Sequence, residues 1–130
     1  MNQSDILTAI YTKLSATAGL PQKIYQNVKA PATIESEYLE IFVMPLPTEN
    51  QAFSGVERKS GLIQINIVVG IEKGTIRPAQ IADLILVAFK QGTVISSGLK
   101  VSRPSYVSAG IKDGVRYVVP VTIQYQNLSN

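Results

Sequence analysis

The sequence has no cysteine and no histidine. Without cysteine there is no disulfide framework and no thiol nucleophile. Without histidine the commonest general base and the commonest metal ligand are both missing, and catalysis of the Ser–His or Cys–His type cannot be built. A Ser–Lys arrangement stays open on residue types alone, yet no serine and lysine stand in a recognisable setting. Charge is scarce as well: charged residues make up 16% of the 130, against 45% hydrophobic. That balance excludes a disordered tail and leaves a charge-poor surface of the kind partners often cover. No apolar run approaches the roughly 20 residues that span a bilayer. The opening Met1-Asn-Gln-Ser-Asp5 lacks the basic and apolar regions of a signal peptide. These absences predict a soluble protein made and used in a cytoplasm, with no membrane contact and no cofactor or metal.

What charge there is sums to +3, with Lys and Arg scattered along the chain, which predicts a solvated, mildly basic surface rather than a nucleic-acid footprint. Arg58-Lys59, and Arg103 with Tyr106, are the best candidates for phosphate contact, but they do not interleave into a stacking platform. Glu35, Glu37 and Glu40 form the one acidic cluster, without the Asp-rich loop that would make it a calcium site. Gly70-Ile-Glu-Lys-Gly74-Thr75 has the look of a phosphate loop but not its four-residue spacing or its Gly-Lys-Ser/Thr ending, so it reads as a turn. Nothing in the residue inventory argues for an enzyme.

What is present is periodicity. Length and the lack of any linker predict a single domain, 1–130. Its organising stretch is Gly61 to Gly92. Ile63, Ile65, Ile67 and Val69 alternate with Leu62, Gln64, Asn66 and Val68 as in a strand, and Ile81, Ala82, Ile85, Ala88 and Phe89 then recur at helical spacing. Pro78 fits the first helical turn and Gly92 its close. Asp83, Val87 and Lys90 fall on the outer face of this helix, where Val87 is a hint of an interface. Upstream, Ser4 and Asp5 open a first helix, with Asn2 as an alternative cap, that buries Ile6, Leu7, Ile10 and Leu14 and stops at Gly19-Leu-Pro21. Ile24–Val28 suggests a short strand, and Tyr38–Met44 reads as a longer one ended by Pro45. Pro45 to Ser60 is the longest irregular segment, either an arm reaching a neighbour with Phe53 as anchor or a solvated loop with Phe53 folded back.

Downstream, Leu99–Ala109 and Val115–Gln126 alternate as two strands around the Lys112-Asp-Gly114 turn, whose Asp-Gly suits a tight hairpin. Pro104 and Pro120 each mark an edge, bulge or bend. The order α-β-β-α-β-β predicts an α+β fold, a mainly antiparallel sheet of four to five strands covered by two helices.

Taken together, the helix ending at Gly19-Leu-Pro21, Ile24-Tyr-Gln-Asn-Val28, Tyr38-Leu-Glu-Ile-Phe-Val-Met-Pro45, Gly61-Leu-Ile-Gln-Ile-Asn-Ile-Val-Val69, the Ala79–Phe89 helix and Asp113-Gly-Val-Arg-Tyr-Val-Val-Pro-Val-Thr-Ile-Gln-Tyr125 resemble the phage tail terminator-like proteins. The resemblance runs over most of the chain and carries no catalytic signature. It implies a structural protein of the virion tail, assembled in the host bacterial cytoplasm. It implies a homo-oligomeric ring, usually of six, that caps the tail tube, meets the head connector and lets DNA pass through its lumen. A head-to-tail ring needs two different patches per subunit. Pro47, Phe53, Arg58, Lys59 and Val87 are the expected contact residues, the first four by their place in the long segment. A head–tail joining or tail tube protein of similar build is the alternative, and a small ligand-binding module the alternative from another class.

Overall fold

The computed structural model describes residues 2–28, 37–47, 49–51, 56–71 and 74–129. Helix α1 spans Gln3–Ala16 and is opened by Asn2. The Asn2 side chain accepts from the Asp5 N–H at 2.9 Å while the Asp5 carboxylate accepts from the Asn2 N–H at 3.1 Å, so two of the helix's first donors are satisfied reciprocally. Asn2 is therefore the cap, and Ser4 lies in the first turn, donating to Asn2 Oδ1. The helix ends at Ala16, three residues before Gly19, which takes the left-handed φ of +84° in the following turn.

The strands are β1 (Gln22–Tyr25), β2 (Tyr38–Pro45), β3 (Glu49–Gln51), β4 (Val56–Gly70), β5 (Val94–Ser96), β6 (Leu99–Val101), β7 (Tyr106–Val107), β8 (Ile111–Asp113) and β9 (Arg116–Ser129), with α2 (Ile76–Ala88) between β4 and β5. Six of them lie side by side in the order β1-β2-β4-β9-β6-β5; β3 pairs with β4, and β7 and β8 pair with β9. The α+β class holds, but the expected sheet of four to five strands is larger. It is also mixed, because β1 runs parallel to β2 while the other pairs are antiparallel.

Three physical reasons account for the difference. First, β4 begins at Val56 rather than Gly61, and its first residues pair with β3 on one side and the end of β9 on the other. Part of the segment expected to be irregular is thus laddered by backbone bonds that leave no apolar periodicity. Second, the expected strand Leu99–Ala109 is broken. Val101 opposes Tyr125 and Tyr106 opposes Thr122, so five steps on one strand match three on β9. Arg103 and Pro104 fall in this interruption, where a proline's missing donor costs nothing. A further extra residue separates Val107, opposite Val121, from Ile111, opposite Val118. Third, the direction of a four-residue strand such as β1 has no signature in its sequence.

Pro120 shows how a proline sits in a central strand. Residues of an antiparallel pair direct N–H and C=O to the same neighbour. The Pro120 carbonyl accepts from Ser108, so its absent N–H also points to that side, at the gap between β7 and β8. The β4 ladder is left intact. The hairpin turn closes at Gly114 with φ +61°, as expected, but Val115, expected to begin the strand, stays in the turn and is 76% exposed.

Both helices lie on one face of the sheet. Ile6, Ile10 and Leu14 of α1 and Ile81, Ala82 and Ile85 of α2 share a core with Leu39, Ile41 and Val43 of β2, Ile63, Ile65, Ile67 and Val69 of β4, and Val119, Val121, Ile123 and Tyr125 of β9. Burying each aliphatic side chain is worth about 1.5–3 kcal/mol, and these alternate strictly along the strands, so the helices fix which face is inside. Gly61 stands opposite Tyr125 in this inner row. The other face of the sheet is covered by no described element.

Candidate functional site

Strand alternation assigns the uncovered face its residues. Phe42 and Met44 of β2, Leu62, Gln64 and Asn66 of β4, and Thr122, Gln124 and Gln126 of β9 point away from the helices, with Tyr106 of β7 opposite Thr122. These are half-buried or exposed, and the middle of the face carries no charged side chain. Charged residues stand around it: Glu40, Arg58, Lys100 and Arg116. An uncharged centre with aromatics and Met, rimmed by Arg and Lys, has the composition of a protein interface. The amides are partly engaged already, since Gln64 donates to Asn66 at 2.9 Å.

Two hollows lie along this face. One, of about 320 Å³, is lined by Leu62, Arg103, Pro104, Tyr106, Thr122 and Gln124. The other, of about 260 Å³, is lined by Leu46, Arg58, Ser60, Ser102, Arg103, Gln124 and Gln126. Arg103 stands between them. It is exposed and projects from the interruption between β6 and β7, which lifts it out of the ladder.

On the far side of the molecule the outward stripe of α2 is Ile76, Gln80, Asp83 and Val87, flanked by Leu84. Ile76 is 71% and Val87 77% exposed. The helix starts without a side-chain cap at Thr75 and has no acidic residue in its first turn. Its place is set by its buried stripe and by the ion pair of Arg77 with Glu37 at 3.1 Å. Such an exposed pair is worth at most about 1 kcal/mol.

The residues expected at contacts are dispersed. Pro47 is exposed just beyond β2. Arg58 lies at the rim of the uncovered face, and Lys59, one residue on, points to the helix side; both are partly buried and engaged with neighbours. Val87 is on α2, across the sheet from Arg58. Phe53 lies outside the described residues. The structure therefore sets Arg58 and Val87 on opposite sides of the sheet and leaves Pro47 exposed beyond the end of β2. Sequence reasoning missed Met44, Leu62 and Tyr106 as parts of one surface. The available signal was apolar residues at outward positions of half-buried strands, but only the pairing shows that they adjoin.

Chemical equipment is sparse. A groove of about 770 Å³ runs between α1 and β5 and has Asp5 and Lys13 as its charged lining. Asp5 is committed to the capping box, and the Lys13 ammonium lies 5.6 Å from the Phe89 ring centre. Of the acidic cluster, Glu37 pairs with Arg77, Glu40 faces outward on β2, and Glu35 lies outside the described residues. Among the described residues no three His, Cys, Asp or Glu side chains gather as a metal site would require. Two tyrosines are perturbed. Burial, and secondarily the neighbouring Tyr25, pushes the Tyr11 phenol up. Burial also pushes the Tyr125 phenol up. The Tyr125 hydroxyl finds no hydrogen-bond partner of normal geometry, although Gln3 lies near enough to favour ionisation slightly. Neither phenol faces a hollow described above.

The described residues thus present an apolar patch on each face of a two-layer α+β fold, beside singly exposed apolar side chains such as Val94, Ile111 and Val115. The chain belongs to the phage tail terminator family, whose model matches residues 5–125. A solved structure carrying no functional description is 25% identical to this chain, is matched over 100% of this chain and 97% of its own, and superposes with a TM-score of 0.79. No curated protein matches the sequence. Membership gives the protein a structural role in the phage tail, in the virion and in contact with tail components. Among the described residues no helix is long and apolar enough to cross a membrane.

Proposed function

We propose that the chain, as one domain over residues 1–130, is the subunit of a ring that closes the end of the tail tube and then meets the head connector. The family match over residues 5–125 is the observation that carries this. Two features of the surface support it. A closed ring of head-to-tail contacts needs two unlike patches per subunit, and the uncovered sheet face and the α2 stripe are unlike and lie on opposite sides. The segment around β3, with Pro47 before it and Arg58 after it, flanks the sheet face and suits a contact with the tube or a neighbour. The ring has six members in this reading, assembles in the host cytoplasm and passes DNA through its lumen by weak, sequence-independent contacts. The protein performs no catalysis.

The test uses tail tubes from a phage lacking this protein. Added protein should bind the tube ends, stop further tube growth and appear as end-on rings in negative stain. Protein that stays monomeric at high concentration and ignores tube ends would refute the ring. Binding along the tube wall, or incorporation throughout the tube, would instead favour the tube-protein alternative.

A further inference from the structure

We infer that the two patches are each other's partners: the Asp83–Val87 end of the α2 stripe of one copy seats in the hollow of the sheet face of the next. This rests on the ring reading above and adds which surfaces meet. The occupant is a second copy of this chain because the two patches complement each other in polarity and charge. The stripe is convex and apolar at Ile76 and Val87 with one acid, Asp83, between them. The hollow is concave, walled by Leu62, Pro104 and Tyr106, with one base, Arg103, at its edge. Asp83 and Arg103 are exposed, and neither has an ion-pair partner among the described residues. Seating Val87 in the hollow buries apolar side chains of both patches and brings Asp83 to Arg103, while Ile76, about 16 Å further along the helix, lies on the sheet face beyond the hollow.

The geometry is head-to-tail because α2 lies on the helix side of the sheet and the hollow on the other. Each copy then presents both halves of the contact, and repetition generates a ring when the rotation closes. A helix of 13 residues is about 20 Å long and about 10 Å wide, a footprint on the order of 200 Å². That is well below the roughly 800 Å² per partner of a standard stable interface. The contact between two free copies is therefore weak, and ring closure or the tube end must add to it. The experiment accordingly belongs on tube ends as well as in concentrated solution.

The absence of cysteine makes the test clean. Val87→Cys and Tyr106→Cys are placed in separate chains, both at exposed positions, and treated with a short bis-maleimide alone and as a mixture, in concentrated solution and on tube ends. The expected result is a dimer in the mixture and none with either variant alone. Cross-linking of Val87→Cys to itself would mean a two-fold helix contact and overturn the proposal. In parallel, Asp83→Arg and Arg103→Asp should each weaken self-association about tenfold or more, because each sets like charges face to face. The double reversal should restore it. Rings that form normally with no mixed cross-link and no response to charge reversal would overturn the pairing and leave the ring standing. Copies that bind tube ends singly would overturn both.

Discussion

Gly61 provides the sharpest test of the packing. It faces Tyr125 across the β4–β9 ladder, and an added Cβ would overlap the Tyr125 hydroxyl, lie 2.6 Å from Tyr125 Cζ and 2.7 Å from the Met44 carbonyl oxygen. The last atom decides the outcome. Tyr125 is fully buried and the Met44 carbonyl is fixed in the β2–β4 ladder, so neither can give way cheaply. Overpacking of this kind costs about 1–3 kcal/mol. Replacing a strand glycine returns about 0.5–1 kcal/mol of backbone entropy. The net loss for Gly61→Ala is then about 0.5–2 kcal/mol, a fall in Tm of roughly 2–8 °C for a domain of this size. Gly110→Ala is the control. The three atoms nearest its added Cβ all belong to the side chain of Tyr117, which is half-buried and can swing outward, so its cost should be under about 1 kcal/mol. Tyr125→Phe should be near neutral by itself, because the hydroxyl it removes is buried without a partner. In the Gly61→Ala background it should recover part of the loss. Urea unfolding of the four variants measures all of this. If Gly61→Ala matches wild type within about 0.5 kcal/mol, or Tyr125→Phe is the more damaging change, the assigned packing of this corner is wrong.

Asn2→Ala removes the capping box of α1 and should cost about 1 kcal/mol, read as an equal shift in the urea midpoint energy; no shift would mean another group caps the helix. Ile10→Ala, at a fully buried position, should cost about 2–5 kcal/mol, whereas Val87→Ala should leave monomer stability within about 0.5 kcal/mol while weakening assembly. Alkaline titration gives a pH signature. The Tyr11 and Tyr125 phenols are raised in the folded state, so above the ordinary tyrosine value near 10 the unfolded chain holds fewer protons and stability falls as pH rises. Absorbance at 295 nm should show Tyr11 and Tyr125 ionising late, and Tyr125→Phe should remove one late step and flatten the fall.

The elements legible in the sequence are those whose burial follows a period. Ile63 through Val69, Val119 through Tyr125 and Ile81 through Phe89 repeat at the spacing of the secondary structure they adopt, because one face of each meets the same core. What escaped reading has no period. Val56–Ser60 joins a strand through backbone pairing with β3 and β9 that its residue types do not announce. Leu99–Ala109 alternates well enough to pass for one strand, although insertions around Pro104 and Gly110 divide it. The contact surface was only partly legible. Val87 stood out as an apolar residue on a polar helix face, whereas Leu62 and Tyr106 looked like ordinary outward positions.

The exclusions and the inner face follow from the residues alone. No histidine or cysteine means no chemistry that depends on them, and strict aliphatic alternation compels a sheet buried on one side. What the other side is depends on how the strands pair. Leu62, the Pro104–Tyr106 segment and Thr122 come from three separate places in the chain and become one hollow because β4 and β7 both pair with β9. That adjacency is a property of strand order and register, set by long-range backbone pairing that no local run of residues encodes.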